Sequence, residues 1–110
     1  ERGNIVLKLH PKLAPVKVAV FPLVSNKEEI TDKAQEVYNL LKDVFTTQYD
    51  AGGSIGRRYA RADEQGTPFC ITIDFDTLND DAVTLRDRDT TKQSRIKVSA
   101  LVDTISELIK

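Results

Sequence analysis

From Val16 to Leu23 the chain reads Val-Lys-Val-Ala-Val-Phe-Pro-Leu, apolar on both alternating faces, which is the pattern of a strand covered on both sides. Pro22 has no N–H to give a ladder, so the strand is expected to end near it and open into a loop. Ser25 stands three residues before Glu28, the capping-box spacing, and Ile30, Ala34, Val37, Tyr38, Leu41, Val44 and Phe45 recur at helical intervals. This predicts an amphipathic helix from Lys27 to Phe45. A short extended piece follows at Gln48 to Asp50. Gly52 and Gly53 then allow a tight turn, and Ser54 is placed to cap a second helix that carries Ile55, Tyr59 and Ala62 inward.

Gly66 and Pro68 end that helix, and Phe69 to Phe75 alternates strictly. Phe69, Ile71, Ile73 and Phe75 fall on one face of the strand so predicted, Cys70, Thr72 and Asp74 on the other. Asn79-Asp80-Asp81 reads as a turn. Ala82 to Arg86 and Gln93 to Val98 read as two further strands joined by a polar turn around Arg88-Asp89-Thr90-Thr91. Ser99 is placed to cap a closing helix with Leu101, Val102, Ile105, Leu108 and Ile109 inward. The order of elements requires parallel crossovers in the first part and permits hairpins in the second. The expected fold class is therefore α/β, a mixed five-stranded sheet flanked by three helices. Residues 1–12 form a polar N-terminal arm and residues 13–110 the domain.

Composition narrows the function classes. A chain of 110 residues forms one domain, and 40% hydrophobic with 30% charged residues is ordinary for a folded globular protein. Sixteen Lys and Arg against seventeen Asp and Glu leave a net charge of −1, so any nucleic-acid contact must use local charge. One cysteine, Cys70, makes neither an internal disulfide nor a thiolate cage, which fits a reducing cytoplasmic setting. The apolar runs are far shorter than the ~20 residues of a membrane helix. Glu1 in place of an initiating Met suggests an excised or processed piece of a longer protein.

Several candidate sites are weak on chemistry. Gly52-Gly53-Ser54-Ile55-Gly56 precedes a helix but lacks the Lys-Ser/Thr of a P-loop and the spacing of a dinucleotide loop, so an ordinary turn and cap is the better reading. Asp74, Asp76, Asp80 and Asp81 lack EF-hand spacing, because Leu78 stands where a ligand is needed; no metal site is expected. His10 has no obvious acid–base partner, and Cys70 alternates with core positions like a small buried hydrophobe. A hydrolase built on either group would need it in an open pocket.

Two basic groupings remain. Arg57, Arg58 and Arg61 make a cationic stripe on the second helix, either a solvated face or a phosphate contact. The run Arg86-Asp87-Arg88-Asp89-Thr90-Thr91-Lys92-Gln93 straddles a strand end and a turn. Its Arg forks with Thr and Gln side chains suit the edges of unpaired bases, with the interleaved Asp residues locking the Arg rotamers; self-neutralising ion pairs are the alternative.

Three stretches carry a resemblance. Leu13-Ala14-Pro15 with Lys17 to Leu23, Tyr49-Asp50 with Gly53-Ser54-Ile55-Gly56-Arg57-Arg58-Tyr59, and Asp63-Glu64 with Gly66-Thr67-Pro68-Phe69-Cys70 together resemble the C-terminal anticodon-binding domain of glycyl-tRNA synthetase. Asp74-Phe75-Asp76-Thr77 and Thr84-Leu85-Arg86-Asp87-Arg88-Asp89-Thr90-Thr91 with Gln93 resemble that synthetase more than its threonyl, prolyl or histidyl relatives. The resemblance runs from Leu13 to the C-terminus and is nearer the homodimeric bacterial type. It implies a domain that holds the anticodon stem-loop of tRNA(Gly), while an absent upstream class II catalytic domain uses ATP and Mg to charge the tRNA with glycine.

By the same resemblance this chain alone is non-catalytic, has no cofactor and is a monomer, whereas the longer protein is a cytoplasmic homodimer that binds neither DNA nor membrane. Arg88, Thr91 and Gln93 would then read the two cytosines expected at the middle and third anticodon positions. Arg86 would pair with Asp74 or Asp87 or reach a phosphate, Asp74, Asp87 and Asp89 would act as supporting residues, Phe21 and Pro22 would offer a stacking platform, and Arg57, Arg58 and Arg61 would touch phosphates or remain a surface stripe. The competing expectation is a protein-interaction or accessory module of the same fold.

Overall fold

The computed structural model describes residues 10–110. Most of the expected N-terminal arm lies outside the described residues. In chain order the elements are β1 (Val18–Pro22), α1 (Glu28–Lys42), β2 (Thr47–Tyr49), α2 (Ile55–Gln65), β3 (Phe69–Ile73), a one-turn α3 (Thr77–Asp80), β4 (Ala82–Asp87), β5 (Gln93–Lys97) and α4 (Leu101–Ile109), the last entered through a 3-10 turn at Val98–Ala100. One five-stranded sheet results, in the order β2-β1-β3-β4-β5. β1 pairs in parallel with β2 and β3, and β4 and β5 add antiparallel. The expected α/β class with a mixed five-stranded sheet is what forms, with α3 as an additional helix.

The crossovers decide which face each helix covers. β2 lies on one side of β1 and β3 on the other, so two right-handed crossovers carry α1 and α2 to opposite faces. On the first face, Val18, Val20, Phe69, Ile71, Ile73, Val83 and Leu85 bury against Ile30, Ala34, Val37 and Leu41 of α1 and Leu101 and Ile105 of α4. On the second face, Ala19, Phe21 and Cys70 meet Ala62, Ile55 and Tyr59 of α2. Two helices thus cover the first face and one covers the second. Beyond the reach of α2, the β5 side chains of the second face, Gln93, Arg95 and Lys97, are exposed.

Three local expectations are corrected. Ser25 does not cap α1: Lys27 occupies the N-cap without a side-chain bond, and the Ser25 hydroxyl donates instead to the Ala51 carbonyl at 2.6 Å. Ser99 does not cap α4, because the 3-10 turn intervenes and Ala100 takes that place. Phe75 does not continue β3 inward. The Asp74 carboxylate accepts from the Thr77 N–H at 3.1 Å and its hydroxyl at 3.0 Å, which turns the chain into α3 and leaves Phe75 49% exposed.

Candidate nucleic-acid interface

Strand register places the polar groups on the second face. Arg86 lies opposite Cys70 on β3 and Gln93 on β5, and Thr84 opposite Thr72 and Arg95. Tyr59 of α2 bonds Thr72 through its hydroxyl at 2.6 Å, and its ring receives the Arg86 guanidinium 4.9 Å from the centroid. Arg86 also stands 3.8 Å from Asp63. The expected pairing of Arg86 with Asp74 or Asp87 is therefore corrected: register points it toward α2. Asp63 Oδ1 is buried and accepts no hydrogen bond, so the Arg86 charge is its compensation.

Asp74 has a different partner. The Arg95 guanidinium donates to Asp74 through Nη1 (2.8 Å) and Nη2 (3.1 Å), and to Asp80 through Nη2 (3.2 Å). Burial, the largest influence on Asp74, pushes its pKa up, but the hydrogen bonds from Arg95 and Thr77 outweigh it and hold the group below the usual carboxylate range. Asp80 is lowered chiefly by Arg95. The exposed Phe75 follows Asp74 directly, between the end of β3 and α3.

The three arginines of α2 have separate fates. Arg57 is exposed. Arg58 is 2% exposed: its guanidinium donates to the Pro22 carbonyl, to the Gly53 carbonyl at 3.0 Å and to Ser25 Oγ at 3.4 Å. Arg61 makes two bonds to Asp50, at 2.9 and 3.0 Å, and a third to the Gly52 carbonyl at 2.6 Å. Burial, the largest single influence on Asp50, pushes its pKa up, but the hydrogen bonds from Arg61 and Gly52 and the nearby guanidinium charges together outweigh it and hold the group low. The expected phosphate stripe thus reduces to Arg57, because its neighbours satisfy the β1 end and the glycine turn.

The turn expected to read bases is also altered. Arg88 is 5% exposed, donating to the Gly66 carbonyl at 2.7 Å and to Asp89 at 2.9 Å. It fastens the β4–β5 turn to the end of α2 rather than facing solvent, with the adjacent Asp89 as its ion-pair partner. Asp87 accepts from the Asp89 N–H at 2.9 Å and so shapes the turn. Thr91 and Gln93 are exposed, Thr91 at a positive φ of 57°. Phe21 and Pro22 are buried in β1, with Phe21 edge-on to Tyr59, so they present no stacking surface.

Two groups escaped the sequence reading. Phe75 alternates with Ile73 and so reads as core; only the Asp74–Thr77 turn releases it. Arg95 was legible in principle, since period-two spacing from Gln93 puts both on one face. Burial pushes the Cys70 thiol up to about 12, so it is no thiolate nucleophile, and the His10 imidazole accepts the Lys12 N–H through Nδ1 at 3.1 Å. Among the described residues no group of three His, Cys, Asp or Glu is placed to hold a metal ion, and no helix is long and apolar enough to cross a membrane.

Comparison with known proteins agrees with this architecture. The family model for the anticodon binding domain matches residues 17–108. A glycine–tRNA ligase of Clostridium kluyveri is 53% identical over the whole chain, which covers 24% of that protein, and one of Rhodopirellula baltica is 52% identical over 96% of the chain, covering 19%. The chain spans about a quarter of the length of the curated relatives it matches. A prolyl-tRNA synthetase from Cryptosporidium parvum superposes with a TM-score of 0.86 at 25% identity, over 94% of this chain and 22% of that one. A family-model match over residues 17–108, with relatives more than 50% identical along nearly the whole chain, leads to one assignment: the chain belongs to the anticodon binding domain family.

Proposed function

We propose that the chain is the tRNA-binding part of a glycine–tRNA ligase, and that it holds the tRNA(Gly) anticodon stem-loop on the uncovered β4–β5 half of the second sheet face. The observation that carries this reading is that half-face itself: Gln93, Arg95 and Lys97 are exposed beside Arg86, and the segment that carries the exposed Phe75 is bonded to Arg95 through Asp74 and Asp80. Basic and amide side chains on a flat sheet, next to an exposed aromatic ring, are the groups that hold and stack unpaired bases. Gln93 supplies an amide for a base edge, Phe75 takes the stacking role expected of Phe21 and Pro22, and Arg57 and Lys97 face phosphate. Glycine activation with ATP and Mg, and the homodimer contact, belong to the rest of a longer cytoplasmic protein.

Fluorescence anisotropy of a labelled tRNA(Gly) anticodon stem-loop, titrated at low salt beside a loop with both cytosines changed, tests the reading. Selective binding that weakens steeply with salt supports it, because neutralised phosphates release counterions. Equal binding to both loops, or none, refutes it and leaves the protein-interaction module.

A further inference from the structure

The segment 74–80 carries Phe75 and is tied at both ends to a single guanidinium. Arg95 Nη1 donates to Asp74 Oδ2 at 2.8 Å and to Thr84 Oγ1 at 3.3 Å. Nη2 donates to Asp74 Oδ1 at 3.1 Å and to Asp80 Oδ1 and Oδ2 at 3.2 and 3.3 Å. Nε completes the set to Asp80 Oδ2 at 3.4 Å. A guanidinium has five N–H donors, and each has an acceptor within the protein here. Arg95 therefore has no donor left for a base or phosphate unless one of these bonds breaks.

Around this clamp the segment is pinned again. Lys97 Nζ donates to the Asp80 carbonyl at 2.8 Å, and Lys33 of α1 pairs with Asp81 at 2.7 Å. Inside it, Asp74 Oδ1 accepts from the Thr77 N–H and hydroxyl, and the Thr77 hydroxyl accepts from the Asp74 N–H at 3.1 Å. The residue between these anchors that presents a large aromatic surface is Phe75. A ring whose backbone is already ordered gives up less conformational freedom on stacking a base than a ring on a loose loop.

We infer that Arg95 is a positioning residue. By bridging Asp74 and Asp80 it orders the Phe75 platform before RNA arrives, and it acts on binding through Phe75 rather than by touching the nucleic acid. This rests on the anticodon-binding reading above and names a residue that sets its affinity.

The chain contains no tryptophan, so Phe75→Trp places a single reporter at the platform. Time-resolved anisotropy without RNA should show the indole moving with the whole domain when Arg95 is present. It should show a fast local component in Phe75→Trp/Arg95→Gln, and again in Phe75→Trp/Asp80→Asn, a milder variant that keeps the guanidinium. Far-UV circular dichroism confirms that each is folded.

A double-mutant cycle on stem-loop affinity supplies the second readout. Phe75→Ala should weaken the cognate loop about tenfold, within the range of one lost base–aromatic stack. Arg95→Gln should weaken it severalfold when Phe75 is present and have no further effect in the Phe75→Ala background. An equal loss in both backgrounds overturns the inference, since Arg95 would then touch RNA directly; so does an indole whose motion ignores Arg95. Failure of the unsubstituted chain to bind the loop refutes the anticodon reading and this inference with it, whereas binding that ignores Phe75 refutes this inference alone.

Discussion

Arg57 and Arg58 are neighbours in sequence with opposite structural fates, and replacing the buried one measures what it holds. Arg58→Ala removes donors from the Pro22 carbonyl, the Gly53 carbonyl and Ser25 Oγ, which belong to the end of β1, to the β2–α2 loop and to the β1–α1 loop. Hydrogen bonds from a charged donor contribute about 1.5–3 kcal/mol each, and a buried carbonyl left bare costs about 1–3 kcal/mol. Against this, the substitution relieves the desolvation of a buried cation, whose Nε has no partner. The balance is a loss of about 3 kcal/mol, a large share of the 5–15 kcal/mol that holds a domain of this size folded. With a urea slope near 1.5 kcal/mol/M, the unfolding midpoint should fall by about 2 M. Equilibrium urea unfolding followed by circular dichroism reads this directly. A midpoint that moves by less than about 0.3 M, together with a uniform loss of RNA affinity, would show that Arg58 faces phosphate and that the burial argument is mistaken.

Other outcomes follow from the same geometry. Arg57→Ala should leave unfolding within about 0.5 kcal/mol of the parent and weaken cognate and cytosine-swapped stem-loops alike, as loss of a phosphate contact does; a loss confined to the cognate loop would make Arg57 a base reader. Asp50, Asp74 and Asp80 have folded pKa values below their unfolded ones, so their contribution to stability is complete above about pH 4 and is lost as pH falls through the folded values. Acid titration of Asp74→Asn should accordingly show a shallower acid limb than the parent, and an unchanged limb would remove the Arg95 clamp as its source. Cys70 should resist a thiol reagent in the native state and react only as the chain unfolds in urea; prompt native labelling would contradict its burial.

The sheet and its helices were legible because their signals are local and redundant. Val16 to Leu23 is apolar on both faces and forms β1, covered by α1 and α2; the period-two run beginning at Phe69 forms β3; Ser54 caps α2 by accepting from the Arg57 N–H at 3.2 Å. Gly66, at a φ of 76°, ends that helix in the left-handed conformation glycine adopts freely. The site was less legible because side-chain destinations are tertiary. Nothing local to Arg58 announces that the Pro22 carbonyl lies within reach, and Arg88 is drawn inward by the Gly66 carbonyl across the fold. Phe75 follows the alternation of β3 until Asp74 bonds Thr77, a side-chain to backbone competition that hydrophobic pattern does not register. Ser25 carries the spacing of a cap, yet its hydroxyl serves the loop at Ala51 instead. Charge at a position was therefore readable, but not whether that charge faced water or a buried carbonyl.

The central claim is that RNA meets the uncovered half of the second face, and mapping backbone amide shifts during titration with the anticodon stem-loop tests it most directly. The expected result is a set of perturbed amides at Arg57, Phe75, Arg86, Gln93, Arg95 and Lys97, with Leu40 of α1, Val44 just beyond its end and Leu108 of α4 unmoved. Perturbations concentrated on α1 and α4 instead, with the β5 amides unchanged, would contradict the claim and assign the interface to the opposite face of the sheet.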